Sequence, residues 1–125
     1  MSKNTKHLPI YKAGYDLVKT ITDAVRHFSR DFRPTLGATM SKEAVDLVLY
    51  IYRANAAQDK LEHIEKVLEK MQVTEMLVQM AFDLRLISPA IYSRCIDITE
   101  CIGKQAGGWK NYASRGNMQP DNQPR

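Results

Sequence analysis

Three kinds of residue in this 125-residue chain could carry chemistry: metal ligands, catalytic nucleophiles, and cations that bind an anion. A di-metal centre in a helical protein uses Glu-x-x-His motifs, and neither Glu nor Asp stands three residues before His7, His27 or His63. Cys95 and Cys101 lack the Cys-x-x-Cys spacing that is typical of a zinc site. We therefore predict no metal ligands and no cofactor.

Nucleophilic catalysis is not indicated either. None of the serines stands in a Gly-x-Ser-x-Gly segment, and no strand pattern is present to carry one. The glycine-rich residues 103–108 lack the Gly-Lys-Ser/Thr ending of a phosphate-binding loop and follow no strand. The sequence therefore predicts a protein that is not an enzyme.

Two groups of basic residues are candidates to bind nucleic acid or a partner, in a chain with a formal net charge of +4. They are Lys12, Lys19, Arg26, Arg30 and Arg33 in the first group, and Lys104, Lys110 and Arg115 in the second. The first three recur every seven residues, so they share one face of a helix, which could follow phosphates. The alternative is a solvated charged face, because Asp16 and Asp23 would neutralise part of it. The second group surrounds Trp109 and Tyr112, with no acid nearby in the sequence, and aromatic rings can stack on bases.

Prolines and apolar spacing predict four helices that would position these residues. The first is expected from Pro9 to a stop at residues 32–34, and the second from just after Gly37 to a break at residues 55–58. The third is expected from Asp59 to about Leu86. The fourth should begin at Pro89, with Ser88 as its cap, and end weakly near Trp109. The weak end follows from Gly107 and Gly108. In the first helix, the apolar stripe includes Tyr11, Tyr15 and Val18.

These elements predict an all-α fold, an antiparallel up-down four-helix bundle over residues 8–112. Residues 1–7 are expected to be flexible, and the polar and basic residues 113–125, which contain two prolines, to be disordered. No uncharged apolar run approaches the roughly 18 residues that span a membrane. The N-terminus also lacks an apolar stretch of signal-peptide length. We therefore expect a cytoplasmic protein that does not bind a membrane.

The second helix is apolar around most of its circumference. Between residues 44 and 52, Asp46 is the only charged residue. Because a helix that is apolar on all sides is buried on more than one side, we interpret the surplus face, Val45, Leu49 and Tyr52, as an oligomer interface. The alternative is a core helix that is more apolar than burial requires.

The chain resembles the four-helix-bundle proteins first noticed as intervening sequences in large-subunit ribosomal RNA genes, in the segments LPIYKAGYDLVKTI and FRPTLGATM. Three further marks are similar to the accessory variability determinant (Avd) of diversity-generating retroelements: FRPTLG, the Arg53-Ala54-Asn55 ending of the second helix, and IGKQAGGW at residues 102–109. The resemblance covers about residues 8–112, and its most specific part is Gly-x-x-x-Gly-Gly-Trp.

This resemblance implies a non-enzymatic helical bundle that assembles as a homopentameric barrel. It also implies binding to a reverse transcriptase and to its template RNA or cDNA, in support of error-prone cDNA synthesis. The alternative is a stand-alone four-helix-bundle interaction protein without a retroelement role. Such a protein would be a monomer or a dimer and would not bind RNA at physiological salt.

Overall fold

In a computed structural model, which describes residues 5–118, the chain folds into four α-helices. They are α1 (Pro9–Val25), α2 (Ala38–Ala56), α3 (Leu61–Asp83) and α4 (Pro89–Met118). A 3-10 turn at Thr5–His7 precedes α1, and a π-helical turn at Arg33–Gly37 leads into α2. Each helix packs against its neighbours in sequence, and α1 also packs against α4. The predicted all-α helical bundle is confirmed, and no strand occurs in the part that the structure describes.

Contacts between helix ends show that neighbouring helices run antiparallel. At the end of α2, Asn55 donates a hydrogen bond from Nδ2 to Oγ1 of Thr5, just before α1, at 3.0 Å. At the other end of the bundle, Tyr92 in the first turn of α4 stacks on Phe82 in the last turn of α3, with ring centroids 4.4 Å apart. We call the end that holds the beginnings of α1 and α3 the proximal end, and the opposite end the distal end.

The core lies between the four helices and is built from apolar side chains at helical spacing. Its fully buried members include Leu17, Leu47, Ile51, Ile64 and Ile102. Burying a side chain of this size stabilises the fold by roughly 1.5–3 kcal/mol. Gly14 allows α1 to approach α2 closely, because a Cβ atom there would lie only 3.1 Å from Cγ2 of Val48.

The first helix ends earlier than predicted. It stops at Val25, and the next residues tighten into turns, with the N–H of Phe28 donating to the carbonyl of Val25 at 2.9 Å. These turns accompany the burial of Phe28, which is only 2% exposed, in the core. Pro34 then lies in the first turn of the π-helical segment. The start of α2 directly after Gly37 is confirmed.

The last helix is longer than predicted. It continues through Gly107 and Gly108 to Met118, so the prediction of a weak end near Trp109 is wrong. Trp109 packs against the core, and such tertiary contact outweighs the propensity cost of about 1 kcal/mol for each glycine. Residues 113–118, which are part of the predicted tail, therefore lie in α4. The rest of the predicted tail, residues 119–125, lies outside the described residues.

Part of the N-terminal segment that was predicted to be flexible forms a turn against α2. Thr5 is buried and accepts the hydrogen bond from Asn55, so the turn at Thr5–His7 is attached to the end of α2. Residues 1–4 of the segment predicted to be flexible lie outside the described residues.

Candidate nucleic-acid interface

A shallow groove of about 440 Å³ follows the proximal half of α1. We call it the α1 groove, and its lining consists of Lys6, Tyr11, Lys12, Tyr15 and Lys19. Residues 11, 12, 15 and 19 recur at three- and four-residue spacing, so successive turns of α1 present them side by side. The rings of Tyr11 and Tyr15 stack with centroids 6.3 Å apart, and Nζ of Lys19 lies 5.3 Å from the centroid of the Tyr15 ring. The groove thus combines three cations with two aromatic rings.

Of the two acids expected to neutralise this face of α1, Asp16 binds a partner on α4, whereas Asp23 pairs with Arg26, a member of the first basic group. Arg94, which reaches across from α4, donates from Nη2 to both carboxylate oxygens of Asp16, at 2.9 and 3.0 Å. Asp23 instead lies 3.6 Å from Nη2 of Arg26, at the end of α1. Within residues 5–118, no lysine of the α1 groove forms an ion pair. The groove therefore keeps its three positive charges.

The structure does not bring the first basic group together on one helix face. Lys12 and Lys19 lie in the α1 groove, whereas Arg26, Arg30 and Arg33 lie past the end of α1 at the distal end. At 1.5 Å per residue, Lys12 and Arg26 are about 21 Å apart along the axis of α1. Arg33 additionally donates from Nη2 to the carbonyl of Phe28 at 3.3 Å. Arg30 and Arg33 do not continue the helical face of the first three residues of the group, because α1 ends before them.

The second basic group lies on α4 at the proximal end, near the beginning of α1. Trp109 lines a small cleft together with Leu8 and Pro9, which places this part of α4 beside the first turn of α1. Lys104 and Arg115 are exposed.

The surroundings of this second group differ from the prediction in two ways. Nζ of Lys110 lies 3.8 Å from Oε2 of Glu65 on α3, so the absence of a nearby acid in the sequence does not hold in the fold. Trp109 is half-buried against the core, so only part of its ring is accessible, whereas Tyr112 is 72% exposed. Glu65 was missed because it belongs to a different helix.

The residues predicted to form an oligomer interface are exposed on the outside of the bundle. Val45, Leu49 and Tyr52 are 44%, 44% and 55% exposed, so α2 indeed carries an apolar face that the core of the single chain does not cover. Because Gly14 packs against Val48 and Ile51, this face lies beside the part of α1 that carries the groove.

A second apolar group, which was not predicted, lies on α3 and on the residue that follows it. Met76, Met80 and Leu84 are exposed toward its distal end. The four-residue spacing of these side chains was the available signal. The row that they form lies beside the apolar stripe by which α3 packs into the core.

Three residues of the α1 groove, Lys6, Tyr11 and Tyr15, were not predicted as members of a site. Both tyrosines were predicted to belong to the apolar stripe of the first helix, whereas Tyr15 is 52% exposed. The available signal was the interleaving of Tyr11 and Tyr15 with Lys12 and Lys19 at helical spacing.

Charged residues in the seam between α2 and α3 are paired with one another. Nζ of Lys70 lies 3.1 Å from Oε1 of Glu43 and 3.6 Å from Oδ2 of Asp46, and the hydrogen bond to Glu43 raises the pKa of Lys70. Asp46 also accepts a hydrogen bond from Lys42 at 2.8 Å, which lowers the pKa of the Asp46 carboxyl. The two pairs made by Lys70 join α2 to α3.

The free thiols differ in their surroundings. Cys95 is buried, which raises the pKa of its thiol to about 11, and Cys101 is exposed. Over the part of the chain that the structure describes, no group of three or more His, Cys, Asp or Glu residues is arranged to hold a metal ion. None of the helices in that part is both long enough and apolar enough to cross a membrane.

Comparison of the chain with protein-family models, with curated proteins and with solved structures finds no match in any of the three.

Proposed function

We propose that this chain is a non-enzymatic accessory subunit of a diversity-generating retroelement. In this role it binds the reverse transcriptase and the template RNA or cDNA in the cytoplasm, and it supports mutagenic reverse transcription. The α1 groove is the observation that carries the nucleic-acid part of the proposal, because three lysines that form no ion pair within residues 5–118 surround two stacked tyrosines. The retroelement part rests on the resemblance of residues 8–112 to Avd, and above all on Gly-x-x-x-Gly-Gly-Trp at residues 103–109.

The proposal includes self-association as a homopentamer through the apolar face of α2. Val45, Leu49 and Tyr52 form a continuous exposed apolar strip, and such a strip on a soluble domain is typical of a protein–protein interface. Association would also present several α1 grooves to one strand, so that contacts that are weak singly add up through avidity. Multi-angle light scattering should give about five times the 14.3 kDa of one chain.

The double variant Val45→Glu with Leu49→Glu tests this interface. Both side chains are exposed, so the variant should keep its helical circular dichroism and its cooperative unfolding. Two carboxylates in an apolar contact would cost several kcal/mol, and the variant should scatter light as a monomer. An intact oligomer would place the interface elsewhere, and an unfolded protein would show that these residues belong to a core.

The retroelement role is tested by co-expression with the reverse transcriptase encoded beside the gene, followed by affinity capture and washing at moderate and at high salt. Retention of the polymerase supports the accessory role, and its loss at high salt would assign much of the contact to basic residues. Lys12→Glu should weaken capture of RNA, whereas Lys66→Glu, a charge reversal of an exposed lysine on α3, serves as the matched control. A folded polymerase that is never retained would refute the role and favour a stand-alone interaction protein.

A further inference from the structure

Tyr15 is the least covered ring of the α1 groove. It is 52% exposed, one side of its ring stacks against Tyr11, and the only cation within 6 Å of its ring centroid in the described residues is the mobile ammonium group of Lys19. A lysine side chain has four rotatable bonds, so Lys19 can leave the ring for a nearby phosphate at little cost. The flat surface of Tyr15 is then open to another planar group.

We propose that the α1 groove binds single-stranded nucleic acid, with one base stacked on Tyr15 and the neighbouring phosphates held by Lys12 and Lys19. This inference rests on the proposed function and adds the form of nucleic acid that is bound and the side chain that selects it. Bases of a single strand present their faces, whereas the faces of paired bases are covered within a duplex. Tyr15 therefore gains a contact with a single strand that a duplex cannot supply.

The spacing of the lysines agrees with a strand that runs along α1. Lys12 and Lys19 are two helical turns apart, about 10.5 Å along the axis, and Tyr15 lies between them in sequence. Lys6, in the turn before α1, extends the same line of charge toward the proximal end. A base on Tyr15 would thus have cations on both sides of it along the backbone.

The positive charge of the groove favours an anionic ligand and is compatible with any polyanion. The ring of Tyr15 distinguishes among polyanions, because only an unpaired nucleobase offers a planar group attached to a chain of phosphates. Stacking does not depend on the 2′-hydroxyl group, so RNA and DNA single strands should bind with similar affinity. Such tolerance would suit a protein that meets both a template and its cDNA.

Fluorescence anisotropy with labelled strands tests the inference on the full chain. The probes are a uridine oligoribonucleotide and a thymidine oligodeoxynucleotide of about 12 residues, and a duplex of the same length. Tyr15→Ala should weaken binding of both single strands by about tenfold and change duplex binding by less than about twofold. Tyr15→Phe, which keeps the ring, should bind the single strands like the wild type. Tyr112→Ala removes a more exposed tyrosine from α4 and is the matched control.

Each outcome decides between the inference and the proposed function. An equal loss for single strands and duplex in Tyr15→Ala, or a loss in Tyr15→Phe, would overturn the stacking role while leaving RNA binding intact. Loss in Tyr112→Ala alone would assign the stacking to α4. A wild-type protein that binds none of the three probes would refute the nucleic-acid part of the proposed function itself. Light scattering on each variant confirms that the oligomeric state is unchanged.

Discussion

Arg94→Ala is expected to weaken both the fold and the binding of nucleic acid, although Arg94 does not line the α1 groove. In the wild type, Nη2 of Arg94 contacts both carboxylate oxygens of Asp16, and its Nε donates to Oγ1 of Thr20 at 3.2 Å. The substitution removes this link between α1 and α4. It also leaves the carboxylate of Asp16 without its partner, one turn from Lys12 and close to one turn from Lys19.

The geometry sets the size of both effects. The side chains of Arg94 and Asp16 are 56% and 38% exposed, so solvent screening limits their ion pair to about 0.5–1 kcal/mol. The hydrogen bond to the buried Thr20 adds about 0.5–1.5 kcal/mol, and the free energy of unfolding should fall by about 1–2 kcal/mol in all. A released Asp16 would form helical pairs with Lys12 and Lys19 that are worth about 0.2–0.5 kcal/mol each. Binding of a single strand should then weaken by about two- to fivefold.

The assay compares wild type, Arg94→Ala and the double variant Arg94→Ala with Asp16→Asn. Urea unfolding followed by circular dichroism reports stability, and fluorescence anisotropy reports the affinity for a single-stranded oligonucleotide. The double variant should remain destabilised, because the link to α4 is still broken, yet it should regain the wild-type affinity. If it binds as weakly as Arg94→Ala, the loss comes from the charge of Arg94 itself, and the reasoning about Asp16 is refuted.

Three further predictions concern the groove lysines, the thiols and one strained residue. Lys12→Ala should make the plot of log affinity for a single strand against log salt concentration shallower by about 0.7 in slope, and it should lower the affinity about fivefold near 0.1 M salt. The control Lys66→Ala should change neither quantity. Equal slopes for Lys12→Ala and the wild type would show that Lys12 is not part of the site. Ellman's reagent near pH 8 should label Cys101 at once and Cys95 only on unfolding, because burial raises the pKa of Cys95 to about 11; rapid labelling of two thiols in the folded protein would contradict this. Arg85→Gly should raise the free energy of unfolding by about 1 kcal/mol in urea titrations, because Arg85 has φ 63° in the turn after α3, a conformation that favours glycine. A decrease in the free energy of unfolding would show that the side chain of Arg85 contributes more than the backbone strain costs.

The predicted helix beginnings were accurate where local chemistry determines them. Pro9 and Pro89 each open a helix, and the N–H of Ile91 donates to Oγ of Ser88 at 3.1 Å, as expected of a cap. Helix ends depend on contacts that are distant in sequence. The burial of Phe28 accompanies the end of α1, and the packing of Trp109 carries α4 past two glycines, so composition alone misplaced both ends.

The candidate site was predicted only in part, since the spacing identified Lys12 and Lys19 but not the tyrosines beside them. A periodicity analysis counts tyrosine as apolar and assigns it to the core, although its ring can equally lie at the surface with one face covered. Tyr11 and Tyr15 differ in just this way, because Tyr11 is half-buried and Tyr15 is exposed. Only the packing of α1 against α2 determines which of the two tyrosines is partly buried and which is exposed.

The charge of the α1 groove depends on which partner each acid selects. A lysine four residues before an aspartate is the weaker orientation of a helical ion pair, because it opposes the helix dipole. Asp16 therefore loses little by leaving Lys12, and both of its carboxylate oxygens gain a charge-assisted hydrogen bond from Nη2 of Arg94, which stands 78 residues away in sequence. Asp23 precedes Arg26 by three residues, which is the favourable order, and pairs with it at the end of α1. The orientation of the local pair thus already indicates weak neutralisation of Lys12. Asp16 precedes Lys19 by three residues, which is the favourable order, so only the cross-helix contact with Arg94 draws Asp16 away from Lys19. That contact follows only from the packing of α4 against α1.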